Sequence, residues 1–268
     1  MTTDASTVIN TMAGSGFTWL LSDIWEMVKR NLIRNIRQPQ LLGFSLVQPL
    51  LFVVLFAYVF GGAIQTPGGN YINYLMPGVL IMAMLIGTVQ TGVGLSDDMK
   101  KGLIDRFRSL PMARSAVLAG RTIADLARNV FVIALLIGVG YAVGFRIETD
   151  PWSALGAVDL ALAFSFAMMW IMATIGLLTK DAETTQVVAM ITVFPLVFAS
   201  SAFVPVETMP GWLQAFAEIN PVTVTVNAMR GLLVTGEYTT ALWQSLAWIG
   251  GILLIFVPLA VSRYRRAV

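Results

Sequence analysis

The densest run of ionisable side chains in this sequence is DDMKKGLIDRFRSLPMARSAVLAGR, Asp97 to Arg121. The groups that most often make and break bonds are missing around it. The chain has no histidine and no cysteine, which excludes disulfides, thiolate and imidazole nucleophiles, Cys/His metal sites and histidine pH sensing. No G-x-x-x-x-G-K-[ST] phosphate loop, no H-E-x-x-H and no G-x-S-x-G is present, and without histidine most hydrolytic mechanisms lack their general base. The expectation is no catalytic residue, no metal site and no ATP hydrolysis by this chain. The remaining carboxylate candidates are isolated. Asp159 lies a few residues inside an apolar run and is expected to reach the interface. Asp181 and Glu183 are expected to be solvated or paired with Lys180.

The elements that hold the basic run are apolar. Of 268 residues, 57% are hydrophobic and 12% charged, about half the charge of a soluble domain. From Gln38 to Ser96 there is no charge at all. The runs are continuous, as in LLFVVLFAYVF (Leu50 to Phe60), and lack the alternation of a β-barrel. A spanning helix needs about 20 residues, and GGAIQTPGGN (Gly61 to Asn70) breaks the long run in two. The fold class expected is all-α integral membrane with six transmembrane helices, near 41–61, 74–96, 123–145, 154–179, 184–204 and 240–261. Residues 1–16 read as a mobile tail without a cleavable signal, and 17–268 as one transmembrane domain.

Lysine and arginine orient the bundle. Lys29, Arg30, Arg34 and Arg37, the basic run, Lys180, and Arg263, Arg265 and Arg266 all fall on one side. The opposite side holds Arg146 and Arg230. Both termini are therefore expected in the cytoplasm.

Three segments do not span. Residues 17–38 carry Phe17, Leu20, Leu21, Ile24, Val28 and Leu32 at helical spacing against Glu26, Lys29, Arg30 and Arg34. They read as an interfacial amphipathic helix. In the basic run, Leu103, Ile104, Phe107 and Leu110 share one face, Asp105, Arg106 and Arg108 lie off it, and Pro111 ends the helix. A short helix held between two spans would act as a handle on both; an ordinary basic loop is the alternative. On the outer side, Trp212, Leu213, Phe216 and Ile219 form one stripe, Asn220–Pro221 a turn, and Val224, Ala228, Leu232 and Leu233 a second helix. That hairpin either dips back against the bundle or lies on it as a cap.

Interfacial helix, two spans, basic cytoplasmic helix, three spans, outer hairpin and last span: this order resembles the permease subunit of type-2 ABC exporters. The resemblance is strongest in Asp97 to Arg121 and is repeated in MPGWLQAFAEINPVTVTVNAMRGLL, Met209 to Leu233. It is similar to the daunorubicin-resistance branch, which is found in actinobacteria. The resemblance implies that Gly102 to Pro111 is a coupling helix docked on a separate ABC ATPase subunit, with Gly102, Leu103, Arg106, Phe107, Arg108, Leu110 and Pro111 at the contact. It also implies that the interfacial helix lies against that ATPase, that ATP and Mg²⁺ are held by the partner, and that a second permease protomer, identical or homologous, faces this one. Asp97 and Asp98 stand where many members have a glutamate.

The implied function is outward movement of a hydrophobic or amphipathic drug-like or lipid-like cargo across a bacterial plasma membrane, with lipids and no nucleic acid as further partners. Gln48, Thr88, Gln90 and Thr91 are the polar side chains at depth that could line a cargo path. Met82, Met84, Met168, Met169 and Met172 are adaptable packers. Gly87, Gly92 and Gly94 suggest a close helix approach, at a protomer interface. A secondary transporter or channel not powered by ATP is the alternative. It would require intramembrane ionisable pairs or pore rings.

Overall fold

A computed structural model describes residues 39–61, 70–101, 114–237 and 240–267, and among them all regular structure is helical. The interfacial segment 17–38 and the docking residues 102–111 lie outside the described residues.

Helix α1 (Pro39–Leu55) begins on a proline, which suits the first helical position because its missing amide hydrogen has no intrahelical partner there. It continues as a π turn, Phe56–Phe60. Helix α2 (Tyr71–Lys100) is capped by Asn70, whose side chain accepts from the Ile72 amide at 3.1 Å. Helix α3 spans Arg114–Val143. Helix α4 (Pro151–Thr179) pairs an Asp150 cap with proline in the first turn and ends on Lys180 in the left-handed conformation. Helix α5 is Ala182–Phe198, capped by Asp181. After a 3₁₀ turn at Val206–Thr208 come α6 (Gly211–Ile219) and α7 (Pro221–Arg230), the latter extended by a π turn at Gly231–Thr235. Helix α8 is Thr240–Ala267.

Four of these helices are long and apolar enough to cross a membrane: α2, α3 from Thr122, α4, and α8 to Tyr264. The apolar parts of α1 and α5, Val47–Val59 and Ala182–Phe198, are shorter. The fifth apolar run stops six residues before the sequence suggested, at 198 rather than 204. Pro195 sits in its last turn, and the chain then folds through Ser200 and Ser201, both buried.

Helices α2 and α4 are central. In their most apolar windows 78% and 72% of residues are buried, against 28% and 22% for α3 and α8. Hydrophobicity alone does not distinguish these four, so the ranking comes from packing. Helix α2 meets α1, α3, α4, α5 and α7. The approach of α2 to α4 is set by glycine. A Cβ on Gly92 would lie 2.5 Å from the Met172 carbonyl oxygen, and one on Gly176 would lie 2.4 Å from that of Gly92. The close approach suggested by the α2 glycines is thus made, at Gly92, inside the chain. Met82, Met84, Met168, Met169 and Met172 are all buried core.

The helical hairpin before α8 divides into two different halves. Helix α7 is buried on Val222 to Val226, Ala228 and Met229 and packs on α2, α4 and α8. Helix α6 buries only Ala217 and leaves Trp212, Phe216 and Ile219 of its apolar stripe exposed. Trp152 at the start of α4 and Trp243 at the start of α8 are exposed as well. Exposed tryptophans at helix ends suit the headgroup level of a bilayer.

Candidate functional site

Among the described residues, three groups of polar side chains sit in or on the bundle, one at each end and one between.

At the end that carries residues 101 and 114, the described termini of α2 and α5 are joined. Lys100 Nζ lies 2.9 Å from Asp181 Oδ1, and Lys101 Nζ lies 2.6 Å from Asp97 Oδ2. Asp181 therefore pairs across the bundle, not with its neighbour Lys180. The Thr184 amide, the Lys100 ammonium and the Thr184 hydroxyl hold its carboxyl down from 3.8 to about 2. At the other end Asp150 is likewise held below the usual carboxylate range, first by the Ser153 hydroxyl and then by amides of the first turn.

Between about two and a half and four turns further into the bundle, α3 presents a polar stripe to its neighbours. Thr91 Oγ1 donates to Asp125 Oδ2 at 2.6 Å. Arg128 Nη2 donates to the Gly87 carbonyl at 2.8 Å. Asn129 Nδ2 donates to Ser165 Oγ on α4 at 3.1 Å. Asp125 and Asn129 are buried. Interhelical hydrogen bonds of this kind average about 0.6 kcal/mol in membranes and rarely exceed about 1.7. They fix register and rotation more than they supply stability. Sequence reasoning passes over Asp125, Arg128 and Asn129 as a group. A signal for them exists: positions 125, 128 and 129 share one face of an otherwise apolar helix.

The four residues considered for a cargo path are not brought together. Gln48 lies with Met82, Ile86, Met190, Val193, Phe194, Val197 and Phe198 in a narrow apolar slot where α1, α2 and α5 meet. Thr88 is buried and its hydroxyl donates back to the Leu85 carbonyl at 2.6 Å. Thr91 is the partner of Asp125. Gln90 is exposed on another face of α2. Beside the slot, α5 turns Glu183, Gln186, Val187, Met190, Ile191, Phe194 and Pro195 toward an open groove of about 740 Å³. Asp159 is exposed on α4.

At the hairpin end the arrangement is denser. Arg230 Nε donates to the Tyr74 carbonyl at 3.0 Å, and Nη1 donates to Ser201 Oγ at 3.1 Å and Asn227 Oδ1 at 2.8 Å. Nη2 donates to the carbonyls of Ser201 and Ala202. These five bonds match the five N–H groups of a guanidinium. Tyr71 and Tyr74 hydroxyls donate to the Phe203 and Ser201 carbonyls at 3.1 and 3.2 Å. Gly78 fits the same turn, since a Cβ there would lie 2.1 Å from the Ala202 carbonyl oxygen. Asn73 Nδ2 donates to Glu148 Oε1 at 2.7 Å, and its Oδ1 accepts the Arg146 amide. Asn220 Nδ2 donates to the Leu196 and Ala199 carbonyls, both at 2.8 Å, anchoring the hairpin turn to the end of α5. A cavity of about 530 Å³ opens above, lined by Asn70, Asn73, Tyr74, Glu148, Glu207, Asn227 and Arg230 among others. Its wall combines two carboxylates, one fully engaged cation, amides and an aromatic ring. Such a wall can hold water or an amphipathic solute; it has no nucleophile–base pair.

The model of the ABC-2 type transporter family matches residues 22–234. Among curated relatives, the daunorubicin resistance ABC transporter permease protein of Streptomyces coeruleorubidus is 36% identical, over 82% of this chain and 77% of its own length. A probable doxorubicin resistance ABC transporter permease protein of Mycobacterium tuberculosis is 27% identical, over 83% and 81%. A putative transport permease of Cyanophora paradoxa is 26% identical, over 80% and 75%.

Proposed function

Because the chain belongs to the ABC-2 type transporter family and is an ABC transporter permease, of the drug-resistance kind, we propose that it moves a hydrophobic or amphipathic drug-like or lipid-like molecule outward across a bacterial plasma membrane. The work is supplied by a separate ABC ATPase docked on Gly102 to Pro111. Two protomers face each other, and each chain spans the membrane six times with both termini in the cytoplasm. ATP and Mg²⁺ belong to the partner, since no phosphate loop exists here.

The observation that carries this reading is the identity, over four-fifths of the chain, to a daunorubicin resistance permease. The fold is in keeping with it. The basic run is suspended between α2, the most buried helix, and α3, so a protein gripping it would pull on the core. Pushing a greasy cargo outward calls for an apolar lateral surface and a wetter exit. The α5 groove and the hairpin-end cavity have those characters. Lengths fit too: α2 is about 45 Å long at 1.5 Å per residue, ample for a core of about 30 Å, while α1 and α5 are near the minimum.

The test is affinity purification of the tagged chain from its native membrane. An ABC ATPase should co-purify, and joint replacement of Arg106, Phe107 and Arg108 by alanine should reduce its yield about tenfold while membrane insertion is retained. Equal yield with the triple variant would overturn the docking role.

A further inference from the structure

We propose that Thr91, Asp125 and Arg128 form a clamp that makes α2 and α3 a single lever, a role that rests on the docking reading above. An ATPase displacing that segment would then move the core helix α2 instead of splaying α2 from α3.

Position supports this first. Along α2, Thr91 lies about 14 Å from Lys100; along α3, Asp125 lies about 17 Å from Arg114. The tie therefore joins the two helices at nearly equal depth on both arms. A second tie, Arg128 to Gly87, sits one turn deeper. One tie is a pivot. Two ties a turn apart also stop each helix from rolling about its own axis.

The chemistry of the second tie is selective for α2's backbone. Arg128 reaches the carbonyl of Gly87, and a Cβ at that position would lie 3.3 Å from Arg128 Nη2. Glycine keeps the approach open. The first tie is a short hydroxyl–carboxylate bond at a position 8% exposed, where water competes little for Asp125.

The clamp also has somewhere to send the motion. Asn129 carries the polar stripe on to Ser165 of α4, and Gly92, beside Thr91, is in backbone contact with α4. The far end of α2 holds Tyr71 and Tyr74, which bind the 201–203 turn, and the Tyr74 carbonyl, which receives Arg230. A rigid α2–α3 frame thus joins the docking segment to the wall of the hairpin-end cavity. Without the ties, the arms would absorb the displacement, and hydrolysis would proceed with less transport.

The chain has no cysteine, so labels can be placed at will. Spin labels on cysteines introduced at Lys101 and Ile123, both exposed, report the separation of the two arms in nanodiscs. In the complex with its ATPase the wild-type background should give one narrow distance, the same without nucleotide and with ATP trapped by vanadate. Thr91→Val and Asp125→Leu should each broaden it even without nucleotide, Thr91→Ser should restore it, and Asp125→Asn, which keeps an acceptor for Thr91, should stay narrow. In inside-out vesicles loaded by the fluorescent probe doxorubicin, Thr91→Val should raise ATP consumed per probe moved about tenfold, with Thr91→Ser near wild type. A narrow distance in both Thr91→Val and Asp125→Leu, or a wild-type pair that separates on nucleotide binding, would overturn the clamp. Failure of the docking reading would show separately as absence of the ATPase, and the nucleotide-free distances would still decide the clamp.

Discussion

The guanidinium carbon of Arg230 lies 3.5 Å from the centre of the Tyr74 ring, and its Nε donates to the carbonyl of that same residue. One side chain of the α6–α7 hairpin thereby grips both the face and the backbone of the core helix. A cation over an aromatic face contributes up to about 2 kcal/mol when desolvated. Arg230→Ala would remove five donated bonds, and although the Ser201 carbonyl keeps the Tyr74 hydroxyl, each acceptor left without a donor costs about 1–3 kcal/mol if no water enters. It should lower the thermal unfolding midpoint in detergent and open the hairpin to protease. Arg230→Lys keeps the charge but not the planar fork and should recover less than half of the loss.

The contact of Gly92 with Gly176 leads to a packing prediction. Any side chain at either position meets backbone, which cannot swing aside as a side-chain tip can. Gly92→Val should separate α2 from α4 and cost about 1–3 kcal/mol. Gly156, where an added Cβ would meet nothing within 4 Å, should accept alanine with little change. Unfolding midpoints of the two variants, compared in the same detergent, check the contrast.

The Lys100–Asp181 pair gives a pH dependence with a definite sign. Because folding lowers the Asp181 carboxyl from 3.8 to about 2, its contribution is fully present above about pH 4 and is lost as pH falls through about 2. Wild type and Asp181→Ala should differ most above pH 4 and converge toward pH 2 in thermal unfolding. The pair is solvent-exposed, so the difference is small and salt-sensitive.

Charge distribution makes a topological prediction. Neutralising Lys29, Arg30, Arg34 and Arg37 together should not invert the chain, because the cluster from Lys100 to Arg121 still marks its side. Protease protection in oriented vesicles reads the outcome directly, and a wholly inverted pattern would contradict the assignment of both termini to the cytoplasm.

Much of the architecture was legible in the sequence because lipid imposes simple rules. Charge-free runs broken by Gly61 to Asn70, the Asn220–Pro221 turn and the stripe at Trp212 mark element boundaries that the helices follow closely, while the fourth helix begins at Pro151, three residues before the expected 154. The α5 end was less legible. Residues 199–204 are as apolar as a span, and only the three-dimensional turn beneath Gly78 shows why the helix stops. Partner choice was also hidden. Asp181 could pair with Lys180 by proximity in sequence, but the fold brings Lys100 to it. Thr88, Gln90 and Thr91 look alike as polar residues in a span; their rotation about α2 sends one back to its own helix, one to the surface and one to Asp125. Long-range ties such as Arg230 to Tyr74 leave no local pattern at all.

The most direct measurement is accumulation of amphipathic fluorescent probes, drug-like and lipid-like, in inside-out vesicles that hold this chain with and without its ATPase. The account predicts accumulation against a gradient only when the ATPase, ATP and Mg²⁺ are all present, with loss in a catalytically dead ATPase. Accumulation by this chain alone, without nucleotide, would contradict it.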